Sequence, residues 1–244
     1  MSDKSEMNDG QSKIIRTLKG LETNDFGDRF IAEIPVINAR NVKVGRLKPI
    51  GTHLANDEEI VNSLADWRRR FKRFFFTQFE VTGERTKRWL NEVVVKDDTR
   101  ILFLIVDATN RLTGHVGACS IREDSAELDN FIRGTRGGDP KLMLLSGLSL
   151  IGWLHGVLKI EKIHARVLAD NFRTLSVYEA AGCFKRSALP EFLTGGQTAD
   201  ENAGGLTTAA SDDQARLEEG AEFVRMTLDM EKFLSRYPWM SDLS

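Results

Sequence analysis

Two stretches of this chain concentrate residue types that can do chemistry. The first is Arg133–Lys141, RGTRGGDPK, which runs straight into the apolar segment beginning at Leu142. A helix starting here would offer unpaired N–H groups and a partial positive charge. Gly134, Gly137 and Gly138 let the backbone come close to a ligand, and Arg133, Arg136 and Lys141 add positive charge beside it. Asp139 suits a helix cap and Pro140 a first turn. A pyrophosphate fits such a site. No GKS or GKT follows, so it is not a P-loop, and the spacing is not that of the dinucleotide fingerprint. A glycine loop that only turns a corner would have the same composition.

The second stretch is Lys162–Phe184, KIHARVLADNFRTLSVYEAAGCF. It reads as a strand ending near Asn171, then a helix that carries Tyr178 and stops at Gly182. Tyr178 is one of only two tyrosines in the chain, the other being Tyr237. Before the glycine loop, Glu127 and Asp129 lie two apart in SAELDNFI and share one face of a strand. If that face lines a cleft, either carboxylate can take up a proton; otherwise both are solvated strand residues. His115, on the preceding strand, is a third candidate base or a structural histidine.

The elements that must position these residues can be read from hydrophobic pattern. Asn41–Ile50 alternates like an edge strand. Asp57–Phe76 reads as a helix with Trp67, Phe71, Phe74 and Phe75 on one face. Thr82–Val93 is a second helix with Thr82 as N-cap. Arg100–Asp107 is nearly all apolar, as in a strand covered on both faces, and forms a meander with Leu112–Ile121 and Ser125–Ile132. A helix from Asp139 to about Lys159, a strand Lys162–Leu168, a helix Arg173–Ala181 and strands within Cys183–Phe192 and Ala221–Leu228 complete the order. The expected fold is a mixed α/β domain at 26–232, with one central, mostly antiparallel twisted sheet flanked by helices. Residues 1–25 and 233–244 read as tails, and 193–218, rich in Gly, Ala, Thr and Asp, as a flexible insertion.

Composition narrows the function. The chain has 244 residues, 34 Lys+Arg against 36 Asp+Glu, and 41% apolar residues, enough for a sizeable core. The near-zero net charge gives no reason to expect a nucleic-acid-coating protein. Leu142–Leu158 contains no charged residue, but its serines, histidine and three glycines favour a helix buried in a domain over a membrane span. The start, MSDKSEMNDG, has no apolar run, so no secretory signal is expected. Cys119 and Cys183 read as buried small hydrophobes in a reducing, cytoplasmic setting. His53, His115, His155 and His164 show no metal-ligand spacing with them.

The strand ending in Asn, a helical Tyr seven residues later, and then Gly and an aromatic resemble the C-terminal half of the GNAT superfamily of N-acetyltransferases. The likeness extends over about Val42–Leu228, less the insertion. It implies acetyl-CoA as co-substrate and no metal. By this resemblance the backbone of Asn130, Phe131, Ile132 and Arg133 would bind the pantetheine arm as a further strand. Arg136, Gly137, Gly138 and Lys141 would hold the pyrophosphate. Asn171 would bond to the pantetheine or to neighbouring backbone, and Tyr178 would protonate the departing thiolate. The loop departs from the family pattern: the glycine pair is displaced and Asp139-Pro140 replaces small residues, so the Asp139 carboxylate is expected to cap the helix and turn aside.

The resemblance further implies direct attack by an amine in a ternary complex, with a backbone N–H near Phe131 facing the oxyanion and Asp129 preferred over Glu127 and His115 as base. The basic run Arg68–Arg73 is either a solvated face or a contact for an anionic small-molecule acceptor, such as a nucleotide-linked amino sugar. A protein N-terminus and a non-catalytic acetyl-CoA-binding module are the alternatives. Monomer and homodimer are both open.

Overall fold

The computed structural model describes residues 6–26, 32–192, 216–217 and 221–240. Helix α1 (Asp9–Leu18) opens with a reciprocal cap between Asn8 and Gln11. The antiparallel strands β1 (Ile34–Ile37) and β2 (Lys43–Pro49) follow. Helix α2 (Glu58–Arg70), the short strand β3 (Thr77–Gln78) and helix α3 (Gly83–Trp89) come next, α3 continuing into a π-helical stretch at Leu90–Val95. Strands β4 (Ile101–Asp107), β5 (Leu112–Cys119) and β6 (Ser125–Arg133) form the meander. Then come α4 (Leu142–Gly156), β7 (Lys162–Leu168), α5 (Phe172–Ala181), β8 (Phe184–Arg186) and β9 (Glu191–Phe192). The described chain closes with β10 (Arg216–Leu217), β11 (Glu222–Leu228), α6 (Met230–Arg236) and a 3-10 turn at Pro238–Met240.

The main sheet runs β1-β2-β4-β5-β6-β7-β11-β8, with β9 also on β11. Among the described residues its only parallel pair is β6–β7; the other pairs are antiparallel. The apolar run of β4 now has its cause. Ile101, Phe103 and Ile105 enter the core under α4, while Leu102, Leu104 and Val106 enter a second core with Val61, Leu64 and Trp67 of α2 and Leu90 and Val94 of the π-helical stretch. Both faces are covered, so every β4 residue is buried. Helix α4 is apolar all round because it is buried all round, from Leu142 to Leu154. No described helix is long and apolar enough to cross a membrane.

Several boundaries differ from the sequence reading. The N-terminal stretch expected as a tail contains α1, whose Ile15 is fully buried and whose Gln11 donates to the carbonyls of Glu123 and Leu158. Strand β2 is not an edge, since β1 pairs outside it. Helix α2 stops at Arg70 rather than Phe76. Its last turn holds Arg68, Arg69 and Arg70, suited to the negative helix end, and Phe71 leaves helical geometry. Phe74 and Phe75 therefore lie on a 3-10 turn and its extended exit, not on the helix. Helix α4 begins at Leu142, not Asp139, and ends at Gly156. Near the C-terminus, Phe233 and Met240 are fully buried. Of the expected insertion only residues 193–215 and 218 lie outside the described residues; Arg216 and Leu217 pair with Gln78 and Thr77.

Candidate active site

The site begins where two strands part. Strands β6 and β7 pair only from Ser125↔Lys162 to Leu128↔Ala165. Beyond that point β6 is held by β5 alone and β7 by β11 alone, so the facing backbone edges of Asp129–Arg133 and Arg166–Leu168 have no strand partner among the described residues. Buried backbone N–H and C=O groups do not stay unpaired without cost. An extended chain laid between the strands would satisfy them.

The same region carries a bulge. The β5–β6 register passes from Gly117↔Asp129 to His115↔Ile132, so Asn130 and Phe131 together oppose Val116. Asn130 takes the left-handed conformation, with φ 49°. Its carbonyl accepts from the His115 ring, and its side-chain amide donates to Asp129 Oδ2 at 2.8 Å. Nδ1 of His115 is buried without a partner, so Nε2 is the donor. The ring also stacks on Trp67 at 6.0 Å. Burial, opposed by the Asn130 bond and aided by Arg68, pushes His115 down to about 4. It is neutral at physiological pH and serves as a fixed donor to the bulge, which is a poor setting for a base.

Helix α5 places Tyr178 against this bulge. Its ring stands 6.3 Å from Phe131 and 4.8 Å from Phe184, and it is 5% exposed. Its hydroxyl makes no hydrogen bond among the described residues. Burial, then the charges of Asp129 and Glu127, push the phenol well above its ordinary value, so it keeps its proton. Asn171 is the N-cap of α5, its side-chain oxygen accepting from Thr174 N at 3.3 Å.

The two carboxylates share the face covered by α2, but neither is solvated. Glu127 is 5% exposed; it accepts from Arg166 Nε at 2.8 Å and lies 3.5 Å from His164 Nε2. Burial alone would raise its pKa, but His164 and Arg166 outweigh burial and lower it. Asp129 pairs through Oδ2 with Arg100, while its Oδ1 is buried with no hydrogen bond. Here burial outweighs Arg100, and the carboxyl is raised. Asp129 thus combines a raised proton affinity with a free lone pair, whereas Glu127 is locked in ion pairs.

The glycine loop is tied to the β4–β5 hairpin. Gly134 and Thr135 N–H groups donate to Thr113 O, and Arg70 donates to the Gly134 carbonyl. A Cβ on Gly134 would fall 1.9 Å from the Trp67 ring, so only glycine fits against α2. Gly137 has φ 122°, and a Cβ there would fall 2.0 Å from the guanidinium of Arg111. Asp139 does turn aside: its Oδ1 accepts from Lys141 N at 2.7 Å. Lys141 is the N-cap of α4 without a side-chain cap, and the first turn has no acidic residue. Arg133 bends back to the Gly137 carbonyl at 3.0 Å, whereas Arg136 and Lys141 are exposed. A cavity of about 360 Å³, lined in part by Lys43, Asp107, Arg111 and Gly138, adjoins the loop.

The structure therefore brings Asn130, Phe131 and Tyr178 together at the bulge, with Asp129 next to it on β6 and the glycine loop at the end of that strand. It adds Arg100, Arg166, His164 and Arg111, which sequence reasoning missed. His164 and Arg166 were within reach: they alternate in KIHARVL and so share the face that meets Glu127. Burial raises the thiols of Cys119 and Cys183, the latter to about 11, so neither is a ready nucleophile. No group of three or more His, Cys, Asp or Glu among the described residues could hold a metal ion.

No protein-family model and no curated protein matches the chain. Solved structures do. A GCN5-related N-acetyltransferase from Brucella melitensis superposes with a TM-score of 0.57 at 14% identity, over 82% of this chain and 80% of that one. Spermidine N-acetyltransferase from Vibrio cholerae, solved with CoA and spermine, gives 0.52 at 18% identity over 77% and 96%. A ribosomal L7/L12 α-N-protein acetyltransferase in complex with coenzyme A gives 0.54 at 14% identity over 81% and 98%. Over most of its length this chain has the fold of the GCN5-related N-acetyltransferases.

Proposed function

We propose that the protein transfers an acetyl group from acetyl-CoA to a primary amine of a small molecule, by direct attack in a ternary complex. The observation that carries this reading is the opening between β6 and β7, which leads from the bulge at Asn130 to the uncapped start of α4. An extended pantetheine arm matches the unpaired backbone edges, and a pyrophosphate matches the helix start beside Arg136 and Lys141. The residues present fit the co-substrate. The solved structures of this fold named above include an enzyme seen with spermine and one for a ribosomal protein, so the fold supports acetyl transfer and leaves the acceptor to this chain's own residues.

The proposed chemistry uses three groups of the protein, with Glu127 and Asn171 in support. Asp129, through its free Oδ1 and directly or through a water, takes the proton from the acceptor ammonium. The neutral amine forms the C–N bond at the thioester carbonyl. The N–H of Phe131, held by the bulge, faces the oxyanion. The C–S bond breaks, Tyr178 gives its proton to the departing sulfur, and the proton that the new amide nitrogen sheds restores the phenol. Glu127 holds Arg166 and His164 on the acceptor side, and Asn171 fixes the start of α5 beside the arm. A nucleotide-linked amino sugar is the acceptor we favour, because α2 presents basic residues to the same face of the sheet.

The test is thiol release from acetyl-CoA with a panel of amines: amino sugars, their nucleotide-linked forms, polyamines and a peptide N-terminus. Turnover with amino sugars supports the reading. Turnover with the peptide alone would make it a protein acetyltransferase, and binding of acetyl-CoA without any turnover a non-catalytic module.

A further inference from the structure

Most buried or half-buried arginines near the site have an acidic partner. Arg100 meets Asp129, Arg166 meets Glu127 and Arg225 meets Glu191. Arg68 is different. Its guanidinium lies 3.3 Å from the Phe75 ring centroid and 4.9 Å from that of Phe79. Nη2 donates to the carbonyl and hydroxyl of Thr77 at 2.9 and 3.0 Å, Nε is buried without a partner, and Nη1 carries no hydrogen bond among the described residues. Among the described residues no carboxylate forms an ion pair with it. Burial, followed by repulsion from the charge of Arg85, pushes Arg68 down to about 9. An uncompensated buried cation is costly, and a single anion would relieve it.

Its place in the fold is equally specific. Trp67, the preceding residue, stacks on His115, which bonds to the bulge. On the other side, Phe76, between the two residues that hold Arg68, packs on Phe223 at 5.8 Å and under Arg166 at 5.7 Å. Arg68 therefore sits over the sheet face that carries Asp129 and Glu127, spanning from the bulge to β7. The aromatic pair orients the guanidinium plane, and a planar fork suits two-point binding of an oxyanion.

We infer that Arg68 binds an anionic group, a carboxylate or a phosphate, on the amine-bearing acceptor. This rests on the transferase reading and narrows its substrate class. Polyamines, which carry no anion, are then poor acceptors.

Matched amines that differ only in the anion test it: glucosamine against glucosamine 6-phosphate, and glycinamide against glycine. Each is titrated by calorimetry into the protein with bound coenzyme A, and into the free protein. We expect the anionic member of one pair to bind about 10²-fold tighter than its neutral partner. Which pair responds tells phosphate from carboxylate. Arg68→Leu should erase the difference and Arg68→Lys should keep part of it. Equal binding within both pairs in the wild type, no binding of either anionic amine, or a preference that survives in Arg68→Leu overturns the inference. Failure of coenzyme A to bind would instead remove the transferase reading, with the free-protein titrations still deciding Arg68.

Discussion

Tyr178 and Phe131 stand ring to ring, 6.3 Å apart and tilted by 52°, so that α5 reaches across to the second residue of the bulge. The phenol has no other hydrogen-bonding duty among the described residues. Tyr178→Phe should therefore fold normally and bind acetyl-CoA with unchanged affinity. Its kcat should fall roughly 10- to 1,000-fold, the scale of a lost proton transfer. Steady-state kinetics with calorimetric binding separates the two effects, and an unchanged kcat would remove Tyr178 from the chemistry.

Asp129 and Glu127 should part company on mutation. Asp129→Asn should lower kcat by roughly 10²–10⁴, and the acid limb of kcat/KM should disappear. The limb's direction follows from the raised Asp129 carboxyl: the basic form is lost as pH falls through that raised value. Glu127→Gln should act mainly on stability, because it leaves Arg166 buried beside a neutral group, a loss of about 3 kcal/mol in urea unfolding. A larger kcat loss in Glu127→Gln than in Asp129→Asn would reverse the assignment.

His115 should make folding pH-dependent. Its value in the folded protein is about 4, against the ordinary 6.5. A depressed folded value means that the unfolded chain binds the proton first as pH falls. The stability is thus fully present above 6.5 and is lost progressively as pH falls toward 4. Between pH 7.5 and 5 this amounts to about 2 kcal/mol. Urea unfolding at the two pH values measures it, and His115→Phe should remove that part of the slope. An identical slope in the variant would place the pH dependence elsewhere.

Much of this arrangement was legible in the chain. The two-faced burial of β4 is written in RILFLIVD and the helix stop in Gly182, which takes φ 68°. Other parts depend on register, which alternation does not encode. The bulge exists because two residues of β6 oppose Val116, and nothing local to SAELDNFIR announces it. The partners Arg100, just before β4, and Arg166, on β7, lie 29 and 39 residues away from their acids in the chain. Strand β1, IPVI, is too short to show a period, and α2 ends early because three arginines and an aromatic run favour a turn that periodicity alone overlooks.

Gly137 probes the loop. With φ 122° and Arg111 against its α-carbon, it admits no side chain without displacement. Gly137→Glu adds both bulk and a negative charge where phosphates are expected. Affinity for acetyl-CoA should fall at least tenfold with the global unfolding midpoint little changed. Equal affinity would move the pyrophosphate away from this loop.

The most direct test of the whole account is calorimetric titration of the wild-type protein with coenzyme A. The account predicts one site per chain with a Kd between about 1 μM and 1 mM, weakened in Gly137→Glu. No detectable heat or competition at millimolar coenzyme A would contradict it.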